Sequence, residues 1–160
     1  METALGRYDG ALGHLREMSQ LAKRFDIARL IAAARVQPGT LAVMQGRLDE
    51  ASALLEEDLR LRLKMRSSTR NVSLILAAFA QLAVAEGDLE QSALLASAAE
   101  GVCQKAGLRA WPATPRREGD RATQIPQALG ASRFDKLFAA GARLSQRETV
   151  AAARTRRGAG

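Results

Sequence analysis

The chain has 160 residues, 47% of them hydrophobic but only 4% aromatic, and a formal net charge of +7 at pH 7. That length suits one domain or a short array, and the Ala- and Leu-rich, aromatic-poor balance points to an all-α protein packed through small and aliphatic side chains. With a single cysteine, Cys103, and no run of about 18 uncharged apolar residues, the sequence offers no internal disulfide, no CxxC metal site and no membrane span.

The chain begins Met1-Glu2, without a basic segment and an apolar core, so no secretory signal is read and a cytoplasmic location is expected. Charge is unevenly spread. Residues 1–100 carry 12 Lys and Arg against 13 Asp and Glu, whereas residues 101–160 carry 12 against 4. The dispersed Arg residues read mainly as solvating helix faces, since no aromatic residues interleave with them to stack bases.

The first predicted helix covers 7–24. Its stripe of Tyr8, Ala11, Leu15, Met18, Leu21 and Phe25 follows Gly6, and His14, the only histidine, is expected on its solvent side. The second covers 26–45 and carries Arg29 and Arg35; Pro38-Gly39 within it predicts a kink or break. The third, 47–66, follows Gly46 and places Leu48, Ala51, Leu55, Leu59 and Leu63 on one face. Its Glu56-Glu57-Asp58 cluster reads as a solvated face, with i,i+4 pairs Glu56 to Arg60 and Asp58 to Arg62.

A loop "RSSTRN" at 66–71 follows, with Asn71 as the expected N-cap of a helix over 71–86 that carries Ser73 and Gln81. The next helix, 88–106, follows Gly87 and aligns Leu89, Ser92, Ala96, Ala99 and Cys103, which makes Cys103 a buried residue and not a nucleophile. Residues 107–118 form a Pro-containing loop in which Trp111 plugs the last repeat or meets a partner. Ile125-Pro126 then predicts a shortened or kinked helix over 119–129. Gly130 and Gly141 are expected to end short helices, and Ser145 with Glu148 forms a capping box for the last one. Residues 154–160 read as a basic flexible tail.

One pattern recurs along this order. "GRYDGA", "GRLDEA" and "GDLEQS" start at Gly6, Gly46 and Gly87, a period of about 40 residues that matches the length of a supersecondary unit. Each Gly can supply the left-handed turn between two helices, and the position five on from it is always small (Ala11, Ala51, Ser92) so that a neighbouring helix can come close. "LAVMQG" at 41–46 and "LAVAEG" at 82–87 match in the same way. With Tyr8, Leu48 and Leu89 at the second position after each Gly, the pattern resembles the second helix of the tetratricopeptide repeat. The spacing is longer than that family's standard period; armadillo and HEAT repeats have the longer spacing but lack the Gly-centred turn. The fold expected is an antiparallel helix-pair solenoid over 1–106, its first repeat incomplete, with a C-terminal set of short capping helices over 119–153.

A second resemblance covers the C-terminal half. "LASAAE" at 95–100 and the pattern Leu129-Gly130, Phe134, Gly141, Leu144-Ser145, Glu148 and Val150 are similar to the end of the helical sensor region in large bacterial signal-transduction ATPases, regulators that also carry a LuxR-type or other DNA-binding domain. Together the two resemblances span about residues 6–153. No GxxxxGK[ST] phosphate loop occurs, and no helix-turn-helix segment follows Arg154. The chain thus reads as starting inside a repeat unit, as though cut from a longer regulator.

No set of residues offers a nucleophile, a base and an orienting partner, so no enzyme, cofactor or metal is expected. What the resemblance implies is a protein-interaction module, binding a protein or peptide on the concave side through positions such as Arg29, Arg35, Asn71, Ser73 and Gln81. Two alternatives accompany it. One is weak, salt-dependent nucleic-acid association through the basic end, with Arg116, Arg117, Arg154, Arg156 and Arg157 on phosphates. The other is an orphan fragment that self-associates through an exposed first helix.

Overall fold

The computed structural model describes residues 28–64, 68–108 and 121–155, together with scattered positions between 10 and 25. Seven helices lie within the three continuous stretches, and no strand occurs among the described residues: α1 Ala28–Met44, α2 Leu48–Lys64, α3 Thr69–Glu86, α4 Leu89–Lys105, α5 Arg121–Leu129, α6 Ala131–Arg143 and α7 Gln146–Arg154. Of the expected helix over 7–24, the described positions Gly10, Gly13, His14, Glu17, Met18, Gln20, Leu21 and Arg24 are helical, and His14 is exposed. Gly6, Tyr8, Ala11, Trp111 and the basic residues 116–117 and 156–157 lie outside the described residues.

Two of the inter-helix turns share the same pair of capping hydrogen bonds. At Gly46 (φ 74°) the glycine N–H donates to Val43 and the Arg47 N–H to Ala42, at 3.0 and 2.9 Å. At Gly87 (φ 85°) the donors and acceptors are Gly87 to Val84 and Asp88 to Ala83, at 3.1 and 2.9 Å. Every partner is displaced by the same interval as the glycines themselves, and the pattern is that of a Schellman C-cap, whose left-handed residue only glycine adopts cheaply. Asp88 adds an N-cap that Arg47 cannot supply, accepting from the Gln91 N–H at 2.9 Å.

The two helical hairpins built by these turns, α1–α2 and α3–α4, pack together, with α3 against both α1 and α2. Their shared core holds Ala42, Ala51, Leu55, Leu59, Val72, Ile75, Leu76, Phe79 and Leu95. The small positions Ala51 and Ser92 are both buried, and Leu48 and Leu89 are half-buried beside them.

Several expectations need correction. Pro38 does not break its helix, because α1 runs unbroken from Ala28 to Met44. Proline removes only one internal hydrogen bond, and the next residue is held by packing: a Cβ on the buried Gly39 would stand 2.6 Å from Leu55 Cδ2. The loop before α3 is shorter than 66–71, since the helix already starts at Thr69. Ser68 is its N-cap residue and Asn71 is inside the first turn. Asp58 is not solvated. It is buried together with Arg62, which donates to Asp58 Oδ2 from Nε at 2.8 Å and from Nη2 at 2.7 Å, and from Nη1 to the Asn71 carbonyl at 2.7 Å. The pair therefore joins α2 to the start of α3. Glu56 and Arg60 are exposed, and no ion pair joins them.

Gly141 does not end a helix either; it lies inside α6 at that helix's closest approach to α4. A Cβ on Gly141 would overlap the Leu94 carbonyl oxygen, and one on Gly101 would stand 2.7 Å from the Ala142 carbonyl oxygen. At the same crossing Ser97 Oγ donates to the Phe138 carbonyl at 2.5 Å. Small residues on both helices let the backbones meet, which explains why α4 is buried on two faces and not one. Gly130 does separate two helices, with φ 78°, and the shortened helix expected near 119–129 is α5, which contains Pro126. The capping box at Ser145 and Glu148 is formed in both directions. Through it α7 is set against α3 and α4, burying Thr149, Val150 and Ala153, and Gln91 Nε2 donates to the Ala152 carbonyl at 2.6 Å.

Candidate interaction surface

Of the residues proposed from sequence for partner contact, the described side chains are those of Asn71, Ser73 and Gln81. The side chains of Arg29 and Arg35 are outside the described residues. Asn71 is half-buried, its carbonyl accepting from Arg62. Ser73 is buried and donates from Oγ to the Ala99 carbonyl at 2.8 Å, so it ties α3 to α4 and offers nothing to a partner. Among the described ones, only Gln81 stands exposed.

Gln81 nevertheless marks a surface. Arg70, Leu74, Ala77 and Gln81 fall at offsets 0, 4, 7 and 11, one face of α3, and the first three are half-buried, which makes this strip the solvent edge of an otherwise buried helix. On α1 the corresponding edge is Gln37, Thr40 and Met44, at offsets 0, 3 and 7, with Gln37 and Met44 exposed and Thr40 half-buried. Thr40 stands to Gln81, and Met44 to Ala85, as Gly46 stands to Gly87. The pairs Thr40/Gln81 and Met44/Ala85 thus lie on a mixed apolar and polar edge that starts at Arg70 on α3. Met44, 63% exposed, is the largest apolar side chain on it. The Gly46-to-Gly87 offset would have found Thr40 from sequence once Gln81 was chosen.

The chemistry of this edge is that of recognition by shape. Among the described residues no group of three His, Cys, Asp or Glu side chains is arranged to hold a metal ion, and no helix is long and apolar enough to cross a membrane. Cys103 is buried as a free thiol. A cleft between the ends of α3 and α7, lined by Phe79, Glu86, Asp88, Gln91 and Thr155 among others, encloses about 20 Å³, room for about one water.

The α4–α6 side is polar and ionic in contrast. Arg133 binds Glu90 through both carboxylate oxygens at 2.8 and 2.9 Å, and this contact raises the already high arginine pKa. Lys105 Nζ donates to the carbonyls of Arg143 and Leu144, both at 2.8 Å, neutralising the C-terminal end of α6. Glu148 has its carboxyl held below the usual range, first by hydrogen bonding with the Ser145 side chain and backbone and then by the nearby Lys105. Comparison with family models, with characterised proteins and with solved structures returns no match.

Proposed function

We propose that the chain is a non-enzymatic protein-interaction module, a tetratricopeptide-like antiparallel solenoid of helix pairs with α5–α7 as its capping set. Its functional analogue is the helical sensor region of a bacterial signal-transduction ATPase or transcriptional regulator. The observation that carries this reading is the pair of matching C-cap turns at Gly46 and Gly87, whose two capping hydrogen bonds are related by one constant displacement. The packing of α3 against both helices of the preceding pair supports it, because that is how one repeat stacks on the next. In such an array the first helices of successive pairs line one side, and an extended peptide or a partner helix binds there. Here that side is the edge of Gln37, Thr40 and Met44 on α1 and Arg70, Leu74, Ala77 and Gln81 on α3, whose apolar and polar groups suit an amphipathic partner.

Affinity capture from nuclease-treated lysate, at low and near-physiological salt, tests the reading when the chain is compared with a Met44→Glu/Gln81→Glu variant. A discrete protein retained at both salt levels by the parent chain, and lost from the variant, is the expected result. Equal retention by the variant, or retention of nothing but the chain itself, would overturn it.

A further inference from the structure

Two rows of exposed cations, unrelated to the α1–α3 edge, lie on α6 and on α7. Lys136 and Arg143 are two helical turns apart at the centre of the exposed face of α6, opposite the Phe134, Leu137, Phe138 and Gly141 side that packs on α4. Arg147 and Arg154 have the same spacing on the exposed face of α7, opposite the buried Thr149, Val150 and Ala153. All four are exposed, and none has an ion-pair partner among the described residues. Two carboxylates lie nearby. Glu148 is committed to the N-cap of α7, and Asp135 sits at the flank of the α6 face.

We infer that these two rows bind double-stranded nucleic acid through its phosphate backbone. Cations repeated every second turn of a helix stand about 10.5 Å apart, a rigid row that engages a regular line of charge without ordering long loops. The side chains between them are Ala139, Ala140 and Ala151, exposed and small, so a duplex backbone can approach closely. The two phenylalanines of α6 are half-buried and stack on each other 5.3 Å apart, which leaves this face no aromatic group for unpaired bases. A lipid surface fits less well, since no large apolar side chain stands among the cations to enter it. Contacts to the phosphate backbone carry no sequence information, so binding is independent of sequence.

The test is fluorescence anisotropy of the full chain with two DNA duplexes of unrelated sequence across a salt series. Four phosphate contacts predict a slope of log K against log salt of about −3 to −4, roughly a 100-fold loss between about 50 and 200 mM salt, equal for both duplexes. Lys136→Gln, Arg143→Gln, Arg147→Gln and Arg154→Gln should each reduce the slope by about 1, and the quadruple variant should abolish binding while keeping its helical circular dichroism. A control variant, Arg116→Gln/Arg117→Gln/Arg156→Gln/Arg157→Gln, should retain most of the affinity. Overturning results are absence of duplex binding at low salt, binding unaffected in all four single variants, loss confined to the control variant, or preference for equimolar phosphatidylserine–phosphatidylcholine vesicles over duplex.

Discussion

Gly101 of α4 lies so close to Ala142 of α6 that a Cβ on the glycine would stand 2.7 Å from the Ala142 carbonyl oxygen. The obstacle is backbone, as it is for Gly141 against Leu94, and it cannot rotate away. Gly141→Ala must therefore push α6 off α4 and is expected to cost about 1–3 kcal/mol, despite the better helix propensity of alanine. Gly39→Ala meets the Leu55 side chain, at Cδ2 and Cγ, instead of closely approaching backbone, and should cost less. Urea unfolding of both variants checks the order; equal costs would mean that the α4–α6 crossing yields easily.

The buried Asp58–Arg62 pair gives a second expectation. Asp58→Ala leaves a buried guanidinium deprived of the carboxylate it was paired with, and removal of one member of such a pair costs about 3–5 kcal/mol. Replacing both, as Asp58→Leu/Arg62→Met, should recover much of that loss, because apolar groups of similar size fill the site without desolvating a charge. A double-mutant cycle in denaturant measures the coupling. Additive losses would show that the two side chains act independently.

The third concerns pH. The Glu148 carboxyl has its pKa lowered in the folded chain by Ser145, so its contribution to stability is present above the unfolded carboxylate range and is lost as pH falls through the lower folded value. Thermal melts of Glu148→Gln and the parent chain should therefore differ at neutral pH and converge in acid. Ser145→Ala removes the reciprocal hydrogen bond and is expected to cost about 1 kcal/mol at neutral pH. A difference between Glu148→Gln and parent that persists unchanged in acid would exclude the cap as its origin.

The turns were legible in the sequence because a left-handed residue at a helix end has one cheap solution, glycine, and Gly46 and Gly87 adopt it. The stripe Ala51, Leu55 and Leu59 was legible for a similar local reason, helical periodicity. The second buried face of α4 was not. Ser97 and Gly101 read as ordinary small residues until Phe138, Gly141 and Ala142, far along the chain, close on them. Asp58 and Arg62 misled for the opposite reason: an i,i+4 pair has the same spelling on a surface and in a core, and only the Asn71 carbonyl and the start of α3 bury it. Of the residues proposed for contact, Gln81 is exposed, while Ser73 is lost to an internal bond with Ala99 that no local pattern announces.

The stacked-repeat account predicts one further substitution pair. Gly46→Ala and Gly87→Ala occupy equivalent left-handed positions with open space around them, so each should destabilise by a similar amount, roughly 1–2 kcal/mol of backbone strain. Chemical denaturation compares them directly, and a large disparity would argue that the two turns are not equivalent in energy.

Hydrogen exchange on the chain in complex with a captured protein, at near-physiological salt, tests the central claim most directly. The account predicts slowed exchange concentrated in the α1 segment 37–44 and the α3 segment 74–85, at positions related as Gly46 is to Gly87. Protection confined to α6 and α7, or no protection along either first helix, would contradict it.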